Sequence, residues 1–417
     1  MEQSLTARDA ALRILAEARR QPALRIPLDD ALGHVLAHDV TSPLDIPAHT
    51  NSAMDGYACR AADVRGASAE HPVRLRVVEQ LLAGAFPTRT LGRGECARIF
   101  TGAALPTGAE GVIRQEDTDL GVEVVQIIKE RDAGANFRRA GEDLKRGALA
   151  LPAGSLLGPA ELGVLASLAV AAPMVVRRPR VGILGSGDEI VDVDSPEEIL
   201  SGRKVASSNT HTLMALVKLA GGEPVNLGIA QDTAASVREH FERAGDCDLL
   251  VTSAGISVGE HDFVKPVLEE MGAEIRFWKL RMRPGAPVGF GVLRGIPWVG
   301  LPGNPVSTMV TFELFVRPAI RKMVGHALPF RRSVPVRVAE KITLGPKLQH
   351  FLRGVVTEGP NGTEARLTGP QGSGILTSMV QANALLVIPE GQHETPAGSV
   401  VQALPLHLPL HQKEPGF

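Results

Sequence analysis

The chain has 417 residues, 44% of them hydrophobic and 22% charged, with a formal net charge of -2. That length asks for roughly two to four domains, the balance is that of a soluble globular protein, and the near-neutral charge argues against a general nucleic-acid binder. Cys59, Cys96 and Cys247 are too widely spaced for a metal-ligand pattern and fit a reducing, cytoplasmic setting.

In chain order, Thr6-Ala-Arg-Asp9 predicts a capped helix to about Arg20, and Leu28 to Ala37 a second one with a similar apolar stripe. The segment 43–56, PLDIPAHTNSAMDG, is polar and turn-rich and reads as irregular. From Pro72 to Leu151 short β-like runs (VRLRVVE, ARIFTG, GVIRQED, VEVVQIIKE) alternate with Gly and Pro, which predicts a small β-rich domain. Gly158 to Ala169 reads as helix. The longest apolar stretch, 163–176, is broken by Pro173, and no apolar leader opens the chain, so neither a membrane span nor a signal peptide is expected.

From Val181 strands alternate with helices: VGIL, a helix from Asn209, EPVNLGIA, a helix over 233–244, LLV, a helix over 262–271, then EIRFWKL, PVGFGVL and IPWVGL. This pattern predicts βαβ units on a parallel sheet. In LPGNPVS, Asn304 is a candidate N-cap and Pro305 the first residue of a helix to about Val324. After Pro329 five β-like runs with regular turns predict a small barrel or sandwich.

The most informative stretch is 248–262, DLLVTSAGISVGEHD. A buried strand runs into a loop in which Ser253, Gly255, Ser257 and Gly259 alternate, ending on Glu260 and Asp262. In an open α/β sheet ligands bind beyond the carboxyl ends of strands. Small residues there let backbone N–H groups approach an anion, and an acid can hold a hard cation. The plainer alternative is a strand–loop–helix turn with Asp262 as N-cap. Other strands of this sheet also end on acids, Asp188 and Glu189 after the first and Asp232 after the second. Lys279, Arg281 and Arg283 follow; they suit either a solvated face or a phosphate clamp. GISVG matches the nucleophile-elbow pattern with Ser257 in the nucleophile position, but 259–262 extend the loop where an elbow would enter its helix. There is no P-loop, no HExxH and no GxGxxG at a strand-to-helix turn. NSAMDGYA (Asn51, Ser52, Asp55) and NFRRAGEDL (Asn136, Arg138, Arg139, Glu142, Asp143) are two further polar loops.

Taken together and in this order, PLDIPAHTNSAMDGYA, RIFTGAALPTGAEGVIRQED, NFRRAGEDL, LGSGDE, SAGISVGEHD, FWKLRMRPGAP and GLPGNPVS resemble the molybdopterin molybdenumtransferase family. The resemblance runs from about Leu28 to Val324 and more weakly to the C-terminus. It extends to the molybdenum-cofactor domain of the animal scaffold gephyrin. It implies insertion of molybdate into adenylylated molybdopterin with release of AMP, assisted by Mg²⁺.

Carried over position by position, the resemblance implies important acids at Asp55, Asp143, Glu189, Asp232 and Asp262, with Glu189, Asp232 and Asp262 on the metal. The family's basic and proline-loop positions match Lys279, Arg283, Pro302 and Pro305; with Ser253, Gly255, Ser257 and Gly259 of the small-residue loop, and Ser307, these make up the expected anion- and substrate-binding set. It also implies an elongated homodimer with the site shared between subunits; contact with other molybdenum cofactor enzymes is expected, and, from the charge and the lack of a long apolar run, no nucleic-acid or membrane partner. The chain departs from the family pattern at Ala254 and Ala286, where glycine and lysine are usual, and at Arg283, which replaces a lysine.

The expected architecture is multidomain α/β plus β. Residues 1–42 and 147–177 form a helical linker domain, 43–146 a β-rich domain, 178–326 a doubly wound parallel α/β domain, and 327–417 a C-terminal β-barrel. Two rival functions share this fold: a non-catalytic scaffold, and a hydrolase of another pyrophosphate-linked nucleotide.

Overall fold

The computed structural model describes residues 5–256, 263–345, 347–359 and 362–407. The chain divides into two compact units. One holds the residues up to Ala37, Gly154–Gly158 and the chain from Pro173 onward; the other holds His38–Ala153 and Pro159–Ala172.

In the first unit helix α1, Ala7–Glu17, begins as its sequence demands, the Thr6 hydroxyl accepting from the Asp9 N–H. The second helix expected over 28–37 is not formed; only the single turn Leu28–Asp30 is helical. Gly33 sits at φ +74°, and the residues around it bond outward instead. Gly33 N–H donates to Leu157 O, Leu36 N–H to Ser155 O and Ala37 N–H to Met174 O. The apolar residues Ala31, Val35 and Leu36 are therefore buried without forming a helix of their own.

Six strands follow: β1 Arg180–Ser186, β2 Glu223–Ala230, β3 Leu249–Ser253, β4 Glu274–Lys279, β5 Pro287–Leu293 and β6 Ile296–Leu301. Their order in the sheet is β2-β1-β3-β6-β5-β4. The run β2-β1-β3-β6 is parallel as expected, but β5 is antiparallel to both β6 and β4, so the sheet is mixed rather than wholly parallel. The cause is local. Only Arg294 and Gly295, at φ +50° and +83°, separate β5 from β6, and two such residues make a hairpin where a parallel crossover needs a dozen or more.

The connecting helices are α2 Ser208–Ala220, α3 Ala234–Glu242 and α4 Val264–Glu270; α5 Pro305–Thr311 follows β6. Alternate strand residues face opposite ways. Val181, Ile183, Leu249, Val251, Val299 and Leu301 join a core with α1, α2 and α5, while Leu184, Leu250 and Trp298 join a second core with α3 and α4. Helices thus cover both faces, which is the doubly wound arrangement, and each fully buried side chain contributes about 1.5–3 kcal/mol.

The last part of this unit is a closed barrel of five strands, β7 Val334–Val338, β8 Gln349–Gly359, β9 Gly362–Leu367, β10 Ala384–Ile388 and β11 Val400–Pro405. Pairing runs β8-β9-β7-β11-β10 and returns from β10 to β8. Leu352, Val356, Leu386 and Val401 fill its interior. Arg353, alternating with Leu352 on β8, is fully buried and holds the 370–378 segment. Its guanidinium donates to Ser378 Oγ and to the carbonyls of Pro370, Gln371 and Gly372.

The second unit is built on a five-stranded sheet in the order Gly111–Arg114, Gly56–Cys59, Glu95–Ile99, Val73–Leu81, Val124–Ile127. Tyr57, Cys59, Cys96 and Ile113 face one core, Ala58, Ala97, Ile99 and Val112 the other. The segment 43–56, expected to be irregular, contributes the short strand Asn51–Ser52. Asp117 is 1% exposed and is neutralised by Arg131 at 2.6 Å. Among the described residues no helix is long and apolar enough to cross a membrane.

Candidate functional site

Strands β1, β3 and β6 are neighbours and parallel, so their carboxyl ends lie side by side. The loops leaving them wall a pocket of about 670 Å³ in the first unit. Of the anticipated residues, Glu189, Ser253, Gly255, Pro302 and Pro305 line it. Ser207, Ser208, Asn209 and Thr210, at the start of the thirteen-residue helix α2, form another wall. Unpaired N–H groups and a positive partial charge at a helix start favour an anion. The Ser-Ser-Asn run before an apolar periodic segment was the available sequence signal for this wall. It served only to mark where the helix begins.

Asn209 joins two of the walls. Its Nδ2 donates to Ser253 Oγ at 2.8 Å and to Gly303 O at 2.7 Å, tying the β3 loop to the β6 loop. The β6 loop is closed on itself by Thr308, whose hydroxyl reaches Pro302 O at 2.6 Å. Asn304 occupies the N-cap position of α5 as expected, but its side chain makes no capping bond. Gly255 is required where it stands. At φ +69° a side chain is strained, and a Cβ would lie 2.3 Å from Val264 Cγ2 and 3.0 Å from Ser186 Oγ.

Its neighbour Ala254 takes φ +76°, a conformation that costs an alanine about 1–2 kcal/mol. Ala254→Gly is therefore expected to stabilise the protein by about 0.5–1 kcal/mol, the relief of strain outweighing the extra freedom of the unfolded chain. Urea titration checks this; an unchanged or lower midpoint rejects it.

The acids are arranged unequally. Glu189 lines the pocket and its carboxylate folds over Gly187, where a Cβ would lie 2.7 Å from Glu189 Oε2. Asp232 lies in the adjoining loop pair. Asp232 N–H donates to Asp188 Oδ1 at 3.0 Å and Asp188 N–H to Asp232 Oδ2 at 3.4 Å, so each carboxylate pins the other's backbone. Lys204 Nζ adds a bond to Asp188 O at 2.6 Å. Ser257, Gly259 and Asp262 lie outside the described residues. Among the described residues no group of three or more His, Cys, Asp or Glu is placed to hold a metal ion.

Lys279 and Arg283 are exposed and do not line the pocket; Pro287 is the lining residue from that hairpin. Arg283 instead belongs to the short strand Met282–Arg283, which pairs with Gln349 and His350 at the start of β8. His350 is held below the usual imidazole range by burial, against the pull of its bond with Gly345 O, with Arg283 adding repulsion. Ser307 is buried within α5 rather than lining the pocket.

Asp55 and Asp143 belong to the second unit. There the two polar loops come together. Asn51 pairs with Arg138 and Ser52 with Phe137, Ala53 N–H donates to Asn136 O, and Asp143 N–H to Ile46 O. Asp55 Oδ1 accepts from Thr101 N–H at 2.8 Å and from the Thr101 hydroxyl at 2.7 Å, and these two bonds hold its carboxyl below the ordinary range. Asp143 is exposed.

Three family descriptions match the chain: "MoeA N-terminal region (domain I and II)" over residues 5–169, "Probable molybdopterin binding domain" over 182–322, and "MoeA C-terminal region (domain IV)" over 335–406. A protein of Mycobacterium tuberculosis, molybdopterin molybdenumtransferase 2, is 38% identical over 397 residues, covering 94% of this chain and 97% of that one. The molybdopterin molybdenumtransferase of a Nostoc species is 38% identical over 386 residues, covering 91% and 87%. Among solved structures, a molybdopterin biosynthesis MoeA protein from Pyrococcus horikoshii superimposes with a TM-score of 0.82 at 30% identity, covering 97% of this chain and 100% of that one.

Proposed function

The chain belongs to the molybdopterin molybdenumtransferase family, and from that premise we propose that it inserts molybdate into adenylylated molybdopterin and releases AMP. The observation that carries the reading is the pocket at the ends of β1, β3 and β6, which sets a helix start and a glycine loop against the carboxylate of Glu189. Donors of that kind suit the phosphate of a nucleotide, and the protein's part is chiefly to position two anions that repel one another.

Magnesium is the metal the proposed reading calls for. It binds through one or two carboxylates together with substrate phosphate, and Glu189 and Asp232, with Asp262, are the oxygen donors we assign to it. Bound there, the ion would neutralise charge on the phosphoanhydride as it is cleaved. Ser253, Gly255, Pro302 and Pro305, which line the pocket, are the residues we assign to substrate there; of the rest of the expected set, Lys279, Arg283 and Ser307 do not line it, and Ser257 and Gly259 lie outside the described residues. Incubation with adenylylated molybdopterin, Mg²⁺ and either molybdate or tungstate tests the reading. AMP release that requires the oxyanion supports it, and release indifferent to the oxyanion rejects it in favour of a nucleotide pyrophosphate hydrolase.

The reading includes a homodimer in which Asp55 and Asp143 serve the pocket of the other subunit. Mixing the inactive variants Asp55→Asn and Glu189→Gln, after partial unfolding and reassembly, is then expected to restore part of the activity. Heterodimers would carry one site with both acids intact. A mixture as inactive as its components would remove the shared site from the proposal.

A further inference from the structure

Asn209 is committed in a way that fixes what it can offer a ligand. A side-chain amide has two N–H donors and one oxygen acceptor. Both of its nearest wall contacts use the nitrogen, at 2.8 Å to Ser253 Oγ and 2.7 Å to Gly303 O. The assignment is not reversible, because Gly303 O can only accept and a flipped amide would set two oxygens against each other. With both hydrogens turned into the walls, the polar atom Asn209 has left for the pocket it lines is Oδ1. Ser253 Oγ, which accepts from Asn209, keeps its own hydrogen for donation. One wall therefore presents an acceptor beside a donor.

An amide oxygen adds nothing to the binding of an anion and favours an N–H group. The apolar residues Ile190, Val205 and Ile256 line the same cavity and suit the faces of a flat ring. We infer that Asn209 Oδ1 is a specificity-determining acceptor that selects an N–H donor on the heterocycle of the bound ligand. This rests on the functional reading above, in which the substrate carries two such rings, the adenine of the nucleotide and the aminopyrimidinone of the pterin.

The test uses two pairs of probes in which an amino group is exchanged for oxygen: AMP against IMP, and pterin against lumazine. Affinities are measured by calorimetry on the full chain. The native protein is expected to prefer the amino member of one pair by about tenfold, the worth of a single net hydrogen bond. The pair that shows it identifies which ring sits at Asn209. Asn209→Ala should bring that ratio to near unity. Asn209→Ser, too short to reach, serves as the second variant should the alanine protein fail to fold, and should also lose the preference.

No preference in either pair, no measurable binding of any of the four probes by the native protein, or a preference that survives Asn209→Ala would each overturn the inference. Molybdate-dependent AMP release is measured on the same native sample. If it is present while the preference is absent, only the role of Asn209 falls; if it too is absent, the functional reading falls with it.

Discussion

Glu189→Gln should reduce molybdate-dependent AMP release by a factor on the order of 10²–10³ while leaving the fold intact. The substitution keeps the shape of the side chain and removes its charge. Glu189 is the anticipated acid that reaches the pocket directly, and its backbone is independently anchored, since Val205 N–H donates to Glu189 O at 2.8 Å. Nothing in the core depends on its carboxylate, so thermal melting should be nearly unchanged. A hard cation held by this oxygen would be lost with the charge, and raising the Mg²⁺ concentration should recover part of the activity. Full turnover at low Mg²⁺ would show that the carboxylate is not needed there. A matching loss of stability would move Glu189 from the chemistry to the scaffold.

Arg353→Met is expected to have the largest effect on stability, about 2–4 kcal/mol, seen as a lower melting transition of the barrel. Arg353 is 0% exposed and, among the described residues, has no carboxylate paired with it; it is satisfied by Ser378 Oγ and three backbone carbonyls. Burial pulls its guanidinium below the usual arginine range, a sign that the charge is poorly solvated. Methionine fills much of the volume but leaves buried Ser378 Oγ and the three carbonyls without that donor, and the 370–378 segment keeps only the bonds of the Gln371 side chain to the Arg353 backbone as its tie to this position of β8. Relief of the buried charge works in the opposite direction, which is why the expected loss is not greater. An unchanged melting transition would mean that water replaces the guanidinium.

The strands of the α/β sheet were legible because they are buried on both faces and read as unbroken apolar runs, as in Leu249-Leu250-Val251. The hairpin between β5 and β6 was legible at Gly289, Gly291 and Gly295, which read as a β hairpin rather than a strand-to-helix turn, although strand alternation with helices pointed to a parallel sheet. A local turn overrode the general pattern. At Leu28 to Ala37 the apolar stripe was real but the helix was not. Periodicity registers which side is buried, while Gly33 and the outward backbone bonds decide the conformation. Asn209 escaped notice as a site residue because an asparagine beside a helix start already has an ordinary explanation.

The sequence by itself determined the chemistry available: which loops carry acids, which carry glycine, and in what order seven short motifs follow one another. These are local properties, set by residue type and spacing. Only the tertiary structure decided which of those groups share a cavity. Strand order in a sheet and the direction of a side chain arise from contacts between residues far apart in the chain. That is why Glu189, Ser253 and Pro302 meet at one edge, while Lys279 and Arg283, as close to the motif in sequence, face solvent.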